Sequence, residues 1–342
     1  MEMVKNADLK LYSTMRLGGK ASYLIVVDSS DDLISALIGA KKHQLPFIVI
    51  GMGSNIIWRD EGFSGLVIVN RIKGFEVISE DDASTFISIG AGENWDSVVK
   101  RTVEMGLSGI ECLSLIPGTA GATPVQNVGA YGQEIAQTLV SLTAYDVQVD
   151  KLVTLGAADC NFGYRSSVFN STMSGRYLIT GITLMLSKTN LMPPFYASLT
   201  SYLEEHNIKD YSPASISNAV VDIRQHKLPD PKLVANNGSF LANPIVERNI
   251  LTNLIDKYGS VPSWPVENDR FKIPAAWLLD RAGFQNYYDE QTGMATWPTQ
   301  SLIFINKSAK STADLIKFVE KVKTKVKQEF NIDLKQEPII LP

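Results

Sequence analysis

Residues 116 to 132 read Ile-Pro-Gly-Thr-Ala-Gly-Ala-Thr-Pro-Val-Gln-Asn-Val-Gly-Ala-Tyr-Gly. This passage has four glycines and no charged side chain. A surface loop of that length normally carries charge, so a loop of small uncharged residues favours a large ligand lying against exposed backbone. The alternative interpretation is a buried crossing between packed sheets. We interpret the passage as a candidate ligand-binding loop.

A shorter glycine loop, Gly51-Met-Gly-Ser-Asn55, directly follows the apolar run Phe47-Ile-Val-Ile50. Glycines let the backbone adopt left-handed angles and bring its N–H groups close to an anion such as a pyrophosphate. The loop begins like a dinucleotide-binding fingerprint, but Ile56 occupies the position of the third glycine. A standard Rossmann site is therefore not favoured. Taken alone, this loop is equally well explained as a tight turn after a strand.

Length and composition indicate a globular chain of more than one domain. It has 342 residues, 45% of them hydrophobic, and a formal net charge of −4, which does not favour a general nucleic-acid binder. No run approaches the roughly 18 apolar residues that cross a bilayer, and the charged N-terminus lacks a signal-peptide core. Cys112 and Cys160 are interpreted as reduced thiols of a cytoplasmic protein. Three histidines and no CxxC motif do not favour a metal site.

Periodic patterns predict three domains. Residues 1–70 are predicted to form a small α/β domain, residues 71–205 a domain rich in strands, and residues 206–330 a last domain with helices and a buried strand. We expect the tail, residues 331–342, to return near the first domain.

The individual elements are predicted from apolar periodicity and from capping residues. The predicted strands are Ser22–Val27, Phe47–Ile50, Leu66–Val69, Phe75–Ile78, Thr85–Ile89, Thr138–Val147, Arg176–Leu186 and Leu302–Ile305. The predicted helices are one capped by Ser30, then Trp95–Met105, Ala214–Gln225, Val246–Lys257, Ala275–Ala282 and one that begins at a Ser311–Asp314 capping box. The apolar face of this last helix comprises Leu315, Val319, Val322, Val326 and Phe330, and its lysines indicate a solvated face.

Further motifs are distributed along the chain in a fixed order. They are Ser13-Thr-Met-Arg-Leu-Gly-Gly19, Phe162-Gly-Tyr-Arg-Ser-Ser-Val-Phe169, Lys227-Leu-Pro-Asp-Pro-Lys232, Asn237-Gly-Ser-Phe240 with Asn243-Pro244, and Leu334 followed by Glu337. Together with the two glycine loops, they resemble the UDP-N-acetylenolpyruvoylglucosamine reductase (UDP-N-acetylmuramate dehydrogenase) family, in its subclass with a tyrosine loop. The resemblance covers nearly the full chain.

The resemblance implies an α+β chain with a two-subdomain FAD-binding fold, vanillyl-alcohol-oxidase-like, followed by an α/β substrate-binding domain. Residues 1–70 and 71–205 would be the FAD-binding subdomains, and residues 206–330 the substrate-binding domain. FAD would be non-covalent, because neither loop contains the histidine or cysteine that carries a covalent flavin. The implied cofactor-binding residues are Gly51, Gly53, Ser54, Asn55, Pro117, Gly118, Thr119, Gly121, Ala122, Gln126, Asn127, Gly129, Ala130, Tyr131 and Gly132.

The resemblance also implies the reaction: NADPH-dependent reduction of UDP-N-acetylglucosamine-enolpyruvate to UDP-N-acetylmuramate, in peptidoglycan precursor synthesis. Arg165, Ser239 and Glu337 correspond to the family's catalytic trio. Hydride from flavin N5 would add to the double bond, and the guanidinium of Arg165 would stabilise the developing enolate. Ser239 would donate the proton. Glu337 would stabilise the same centre if protonated, or orient neighbouring groups if ionised.

Five positions match substrate contacts of the family: Tyr164, Tyr196, Lys227, Asn243 and Gln300. Of these, Lys227 would bind the diphosphate and Tyr164 would line the nicotinamide and substrate pocket. Two departures stand out. Ala242 replaces a frequent lysine, which predicts a weaker grip on the substrate, and the tail around Glu337 reads Leu334-Lys-Gln-Glu-Pro338 and ends soon after.

Two other functions remain open from the sequence. One is an FAD-dependent oxidase or dehydrogenase of another small alcohol or sugar, which Arg165 and Ser239 disfavour because alcohol oxidation needs a general base. The other is a flavin or nucleotide-sugar sensor without turnover, which the intact trio disfavours. We expect a cytoplasmic monomer with UDP-N-acetylglucosamine-enolpyruvate and NADPH as partners, and without nucleic-acid or membrane partners.

Overall fold

The computed structural model describes residues 2–342, and the chain forms two compact units. The first unit comprises the described residues up to Ala7, with Ala21–Met52 and Phe63–His226. The second comprises Asp8–Lys20, Gly53–Gly62 and Lys227–Pro342. Three separate stretches of chain therefore build each unit.

Strands and helices are interspersed along the described residues. The strands are β1 (Met3–Asp8), β2 (Lys20–Val27), β3 (Phe47–Ile50), β4 (Ile56–Trp58), β5 (Phe63–Asn70), β6 (Phe75–Glu80), β7 (Ser84–Gly90), β8 (Gly129–Ala130), β9 (Gln133–Glu134), β10 (Leu139–Asp146), β11 (Lys151–Gly156), β12 (Tyr177–Ser187), β13 (Asn236–Ser239), β14 (Ile245–Glu247), β15 (Trp264–Val266), β16 (Arg270–Lys272), β17 (Tyr288–Asp289), β18 (Met294–Trp297), β19 (Gln300–Asn306) and β20 (Ile339–Leu341). The helices are α1 (Ser30–Lys42), α2 (Trp95–Glu104), α3 (Ala197–Glu205), α4 (Pro213–Lys227), α5 (Arg248–Tyr258), α6 (Ala275–Arg281) and α7 (Thr312–Phe330).

The first unit contains a four-stranded sheet in the order β1-β2-β5-β3, in which β2 and β3 are parallel to β5. Helix α1 connects β2 to β3 and buries Leu33, Ala36, Leu37 and Ala40. The predicted cap at Ser30 is wrong by one residue. Ser29 has an extended backbone and its hydroxyl accepts the N–H of Asp32 at 3.1 Å, so Ser30 is already helical.

A second sheet of the first unit is antiparallel and runs β11-β10-β12-β7-β6. Its strands confirm the four strands predicted between residues 75 and 186, with ends shifted by one or two residues. Helix α2 covers this sheet's core through Trp95, Val98 and Val99, all nearly inaccessible to solvent. Strand β7 alternates buried and half-buried residues, which is typical of a sheet with one buried face.

The second unit has an antiparallel sheet β13-β19-β18-β17, a smaller sheet β14-β16-β15, and the parallel pair β4-β20. Helix α7 supplies much of its core, and its predicted capping box and apolar face are confirmed. Four of the five predicted lysines on its other face are exposed. The predicted start of α5 at Val246 is wrong, because Val246 pairs with Phe271 in β14 and the helix begins at Arg248.

The elements with no counterpart in the sequence prediction are helix α3 and the strands β1, β4, β8, β9, β11, β13 to β18 and β20. Strand β1 is exposed at five of its six positions and lies at a sheet edge, so it carries no apolar pattern. Helix α3 buries only Leu199 and Leu203. Neither β1 nor α3 has the periodicity that the other predictions relied on. Across residues 2–342, every helix is too short or too polar to cross a membrane.

Candidate active site

The second glycine loop, residues 116–132, belongs to the first unit and follows a residue in a left-handed conformation. Leu115 has φ of 59°, which is unfavourable for a bulky L-residue. Its N–H donates to Asp96 Oδ1 at 2.5 Å, and its carbonyl accepts from Arg224 Nη2 at 3.3 Å. Two charged side chains therefore hold the backbone immediately before the loop.

The two glycine loops meet in the first unit at Gly51 and Thr119. A Cβ atom on Gly51 would lie 2.4 Å from Thr119 Oγ1. The φ of Gly51 is not in the left-handed region. The position therefore requires glycine because of this close approach, and not because of its backbone conformation. A Cβ atom on Gly121 would likewise lie 2.5 Å from the Cβ of Ala91. Neighbouring chain thus excludes side chains at both positions.

Arg165 lies on a turn that is attached to the second glycine loop. Its Nη2 donates to the carbonyl of Gly129 at 3.0 Å, and Nδ2 of Asn127 donates to the carbonyl of Gly163 at 3.1 Å. Arg165 itself has φ of 53°, a left-handed conformation that these contacts maintain. The structure therefore brings the predicted catalytic arginine together with predicted cofactor-binding positions of the loop.

Three tyrosines among the predicted site residues lie in the same unit. The rings of Tyr131 and Tyr196 meet edge to face, with centroids 6.0 Å apart. The guanidinium carbon of Arg165 is 5.6 Å from the ring centroid of Tyr164. Tyr196 and Tyr164 remain 45% and 39% exposed, so both rings are accessible for contact with a ligand.

Arg224, on α4, was not singled out from the sequence. Its guanidinium hydrogen-bonds the Tyr131 hydroxyl; burial lowers the pKa of this guanidinium, and Tyr131 and Asp96 oppose that effect. Its Nε is inaccessible to solvent and has no acceptor within residues 2–342. Through Leu115 and Tyr131, Arg224 contacts both ends of the uncharged loop and places a positive charge beside it.

The first glycine loop continues into the second unit with Gly53, Ser54 and Asn55. Gly53 has φ of 73°, and a Cβ atom there would lie 2.1 Å from the carbonyl oxygen of Tyr12. The carbonyl of Gly53 accepts the N–H of Thr14 at 3.1 Å. Residues of the motif that begins at Ser13 therefore pack directly against this loop.

Ser239 ends β13, after a turn that requires glycine. Gly238 has φ of 70°, and its N–H donates to Asn236 Oδ1 at 2.8 Å. Ser239 itself pairs with Ile303 of β19. Ser239 therefore lies between this short glycine turn and the main sheet of the second unit.

Glu337 lies beside Ser239 and Asn55 in the second unit. The N–H of Glu337 donates to the carbonyl of Phe240, the residue after Ser239, at 3.0 Å. The carbonyl of Asn55 accepts the N–H of Ile339 at 3.0 Å, and its Nδ2 is 3.5 Å from the carbonyl of Glu337. The structure therefore brings together Ser239, Glu337 and one loop residue.

The remaining predicted substrate positions also lie in the second unit. Lys227 is exposed, and its carbonyl accepts from Thr299 Oγ1 at 2.8 Å, next to Gln300. Asn243 Oδ1 accepts the N–H of Ala275 at 2.9 Å. Lys227 and Gln300 are thus neighbours, whereas Asn243 uses its carbonyl oxygen at the start of α6.

The residues of the two loops fit a dinucleotide cofactor such as FAD. Neither loop carries a charged side chain that would repel a pyrophosphate, and Gly51 and Gly53 let the chain segments around the loops approach closely. Each unit has one buried polar atom beside a loop that lacks a partner in residues 2–342: the donor Nε of Arg224 in the first unit and the acceptor Oδ1 of Asn237 in the second. Buried polar atoms normally find partners, so both suit a polar ligand. Residues 2–342 contain no group of three or more His, Cys, Asp or Glu side chains arranged for a metal ion.

Sequence reasoning missed Arg224 and Asn237. An arginine on an amphipathic helix is most often solvated, and nothing local indicated that Arg224 turns towards the loop. Asn237 lies in one of the motifs noted in the sequence. Because Asn-Gly is a common turn pair, however, the sequence did not indicate that its amide bonds distant segments.

Comparisons with known proteins agree with this geometry. The FAD binding domain model matches residues 21–156, and the model of the UDP-N-acetylenolpyruvoylglucosamine reductase C-terminal domain matches residues 230–341. UDP-N-acetylenolpyruvoylglucosamine reductase of Bdellovibrio bacteriovorus is 36% identical over 99% of both chains, and that of Chromobacterium violaceum 34% identical over 98% of both.

The crystal structure of the reductase from Thermus caldophilus resembles the fold with a TM-score of 0.68 at 21% identity, covering 100% of this chain and 98% of that one. The predicted fold class, an FAD-binding fold followed by a C-terminal domain of this family, is confirmed. The chain belongs to the UDP-N-acetylenolpyruvoylglucosamine reductase family.

Proposed function

We propose that this chain uses NADPH to reduce the enolpyruvyl ether of UDP-N-acetylglucosamine-enolpyruvate, giving UDP-N-acetylmuramate. The observation that carries the proposal is the backbone hydrogen bond from Glu337 to Phe240 at 3.0 Å, beside Ser239, in a chain of this family. It unites two members of the predicted catalytic trio that are almost a hundred residues apart in sequence.

When bound, FAD would supply hydride chemistry at this site, with NADPH as the reductant. The residues that would hold it are Gly51 and Gly53 of the first glycine loop and residues 117–132 of the second. Arg224 contributes a fixed positive charge beside the second loop, which favours a negatively charged group there.

Arg165 binds the carboxylate of the enolpyruvyl group. Its guanidinium offers a planar fork of donors that matches a carboxylate, and its hydrogen bond to the carbonyl of Gly129 at 3.0 Å orients that fork. When hydride adds to the terminal carbon, negative charge develops on the other carbon and on the carboxylate. A positive charge that is already oriented stabilises this enolate more than the ground state.

Ser239 donates a proton to the enolate carbon, which completes addition of H⁻ and H⁺ across the double bond. A hydroxyl is a weak acid, but a carbanion-like enolate is a strong enough base to take its proton. Glu337, beside it, either stabilises the same centre or orients its neighbours. Lys227 binds the diphosphate, with Tyr164, Tyr196, Asn243 and Gln300 completing the substrate contacts. We further propose that the working protein is a cytoplasmic monomer.

The test is an anaerobic two-step titration of the purified yellow protein. NADPH should bleach the flavin, and UDP-N-acetylglucosamine-enolpyruvate should then restore the absorbance with ping-pong kinetics. Fast reoxidation by oxygen, without a response to the nucleotide sugar, would instead support an oxidase of another small alcohol or sugar. A flavin that NADPH never bleaches would contradict the reductase and support a flavin or nucleotide-sugar sensor without turnover.

The role of Ser239 is tested with Ser239→Ala. Reduction by NADPH should stay within about twofold of the original rate, while reoxidation by the nucleotide sugar should fall by roughly 100-fold or more. An equal loss in both half-reactions would rule out the proton-donor role.

A further inference from the structure

Asn237 links three separate stretches of the second unit through one side chain. Its Nδ2 lies 3.1 Å from Thr14 Oγ1, 3.1 Å from the carbonyl of Ser54 and 3.3 Å from the carbonyl of Ile56. The residue is 6% exposed. One buried amide therefore joins the turn before Ser239 to the first glycine loop.

The surroundings fix the orientation of this amide. The carbonyl oxygens of Ser54 and Ile56 can only accept hydrogen bonds, so they require the NH₂ group of Asn237 to face them. The opposite orientation would place a third carbonyl oxygen against these two. The amide is therefore a donor to the loop, and its Oδ1 points elsewhere.

The Ser239 turn is held at both ends, because the N–H of Asn236 donates to the carbonyl of Thr14 at 3.1 Å and Ser239 pairs with Ile303, but its centre at Gly238 makes no such contact. A Cβ atom on Gly238 would meet no atom within 4 Å, so packing does not restrain the glycine. The hydrogen bond from Gly238 N–H to Asn236 closes the turn locally but does not attach it to the loop. The side chain of Asn237 makes that attachment.

We propose that Asn237 is a positioning residue, which holds the Ser239 turn in register with the first glycine loop and so sets where the proton is delivered. This inference rests on the proposed function, because it needs Ser239 as the proton donor and the loop as part of the flavin site. Asn237 acts through Ser239 and does not itself touch the reacting atoms.

The test uses the full-length holoprotein with saturating FAD, and compares Asn237→Ala and Asn237→Asp with the original chain. Asn237→Asp keeps the shape of the side chain but turns an oxygen towards the three acceptors. In both variants, reoxidation by UDP-N-acetylglucosamine-enolpyruvate should slow by roughly 10- to 100-fold, because small misplacements of a reacting group have effects of this size. Reduction of the flavin by NADPH should change by less than about threefold.

The matched control is Asn249→Ala, which removes an exposed asparagine of the same unit whose Oδ1 accepts from the N–H of Ile250. Both of its half-reactions should equal those of the original chain. Thr14→Val, which removes one of the three acceptors, should give a smaller loss confined to reoxidation. It serves as the test if the Asn237 variants prove unfolded by thermal melting.

A double-mutant cycle separates positioning from general damage. In a Ser239→Ala background, Asn237→Ala should have no further effect on reoxidation, because the group it positions is already gone. The solvent deuterium isotope effect on reoxidation should rise in Asn237→Ala alone, since proton delivery becomes more limiting. A further loss in the Ser239→Ala background with an unchanged isotope effect would show a merely structural role and overturn the proposal.

The inference and the proposed function fail in different ways. If the original chain performs both half-reactions and Asn237→Ala does so at the same rates, the positioning role is refuted and the function stands. If NADPH does not reduce the original flavoprotein, or the nucleotide sugar does not reoxidise it, the function itself is refuted.

Discussion

Gly51→Ala should weaken FAD binding through a single steric contact. The new Cβ would lie 2.4 Å from Thr119 Oγ1 and 3.2 Å from its Cγ2. Either the two loops separate or Thr119 leaves its place, and overpacking of this kind costs about 1–3 kcal/mol. If FAD needs the loops at their present spacing, the bound state bears this cost. Since about 1.4 kcal/mol is a factor of ten, the dissociation constant of FAD should rise by about 5- to 150-fold.

The assay is titration of the apoprotein with FAD, followed by quenching of flavin fluorescence. Thr119→Ala provides the second arm, because it removes both clashing atoms and leaves Thr119 Cβ as the nearest atom, at 3.4 Å. In that background Gly51→Ala should change the dissociation constant by only about twofold. Unchanged FAD affinity in the single variant, or the same loss in both backgrounds, would refute the argument that these loops bind FAD at contact distance.

Other perturbations have equally definite expectations. Gly39→Ala, the control for the glycine substitution, adds a Cβ with no atom within 4 Å in α1, and should raise the unfolding free energy by about 0.5–1 kcal/mol without changing FAD affinity. Lys227→Ala should raise the KM for the nucleotide sugar about tenfold at little cost in kcat, whereas Lys209→Ala, an exposed lysine of the first unit, should change neither. Ser311→Ala removes the cap of α7 and should cost about 1 kcal/mol in urea unfolding at pH 7. The Ser311 hydroxyl lowers the pKa of Asp314, so part of the stability difference between the original chain and the variant depends on an ionised Asp314. That part is present above the ordinary Asp pKa and should shrink as pH falls below about 4. A stability difference that is independent of pH would contradict the pairing of Ser311 with Asp314.

Elements with a strong internal pattern were predictable from the sequence. Helix α7 shows this best, because its capping box and its apolar face are local properties of adjacent residues, and both are present in the structure. The starts of α1 and α5 were misplaced where a neighbouring residue competed for the same role. Ser29 took the cap from Ser30, and pairing with Phe271 drew Val246 into a strand.

The candidate site was predictable only as separate motifs. The second glycine loop was visible because it is long and uncharged, whereas Arg165 and Ser239 were identified only through the family resemblance of the motifs that contain them. The contacts that organise them were not visible, since Arg224 reaches Leu115 and Asn237 reaches Ser54 across more than a hundred residues. Such contacts depend on which segments the fold places side by side, and no local pattern records that.

Local composition also does not predict which segments form the second unit. Its core uses Met15, Leu17 and Ile57 together with residues beyond 239. Nothing in the two short segments that hold the first three distinguishes them from their neighbours in sequence. The assignment of all three members of the trio to one catalytic event, and the division into three domains, remain predictions.

The pairing of β20 with β4 has a consequence for the order in which the chain assembles. Asn55 and Glu337, at the edge of this pair, are 282 residues apart, and closing a loop of that length costs about 5 kcal/mol of chain entropy. During synthesis, β4 must therefore wait for a partner that leaves the ribosome on the order of tens of seconds later. Until then Ile57 and Trp58, both 0% exposed in the finished protein, lack their final cover. The nascent chain should thus depend on chaperones at this strand, and Glu337 should be among the last residues to reach its place.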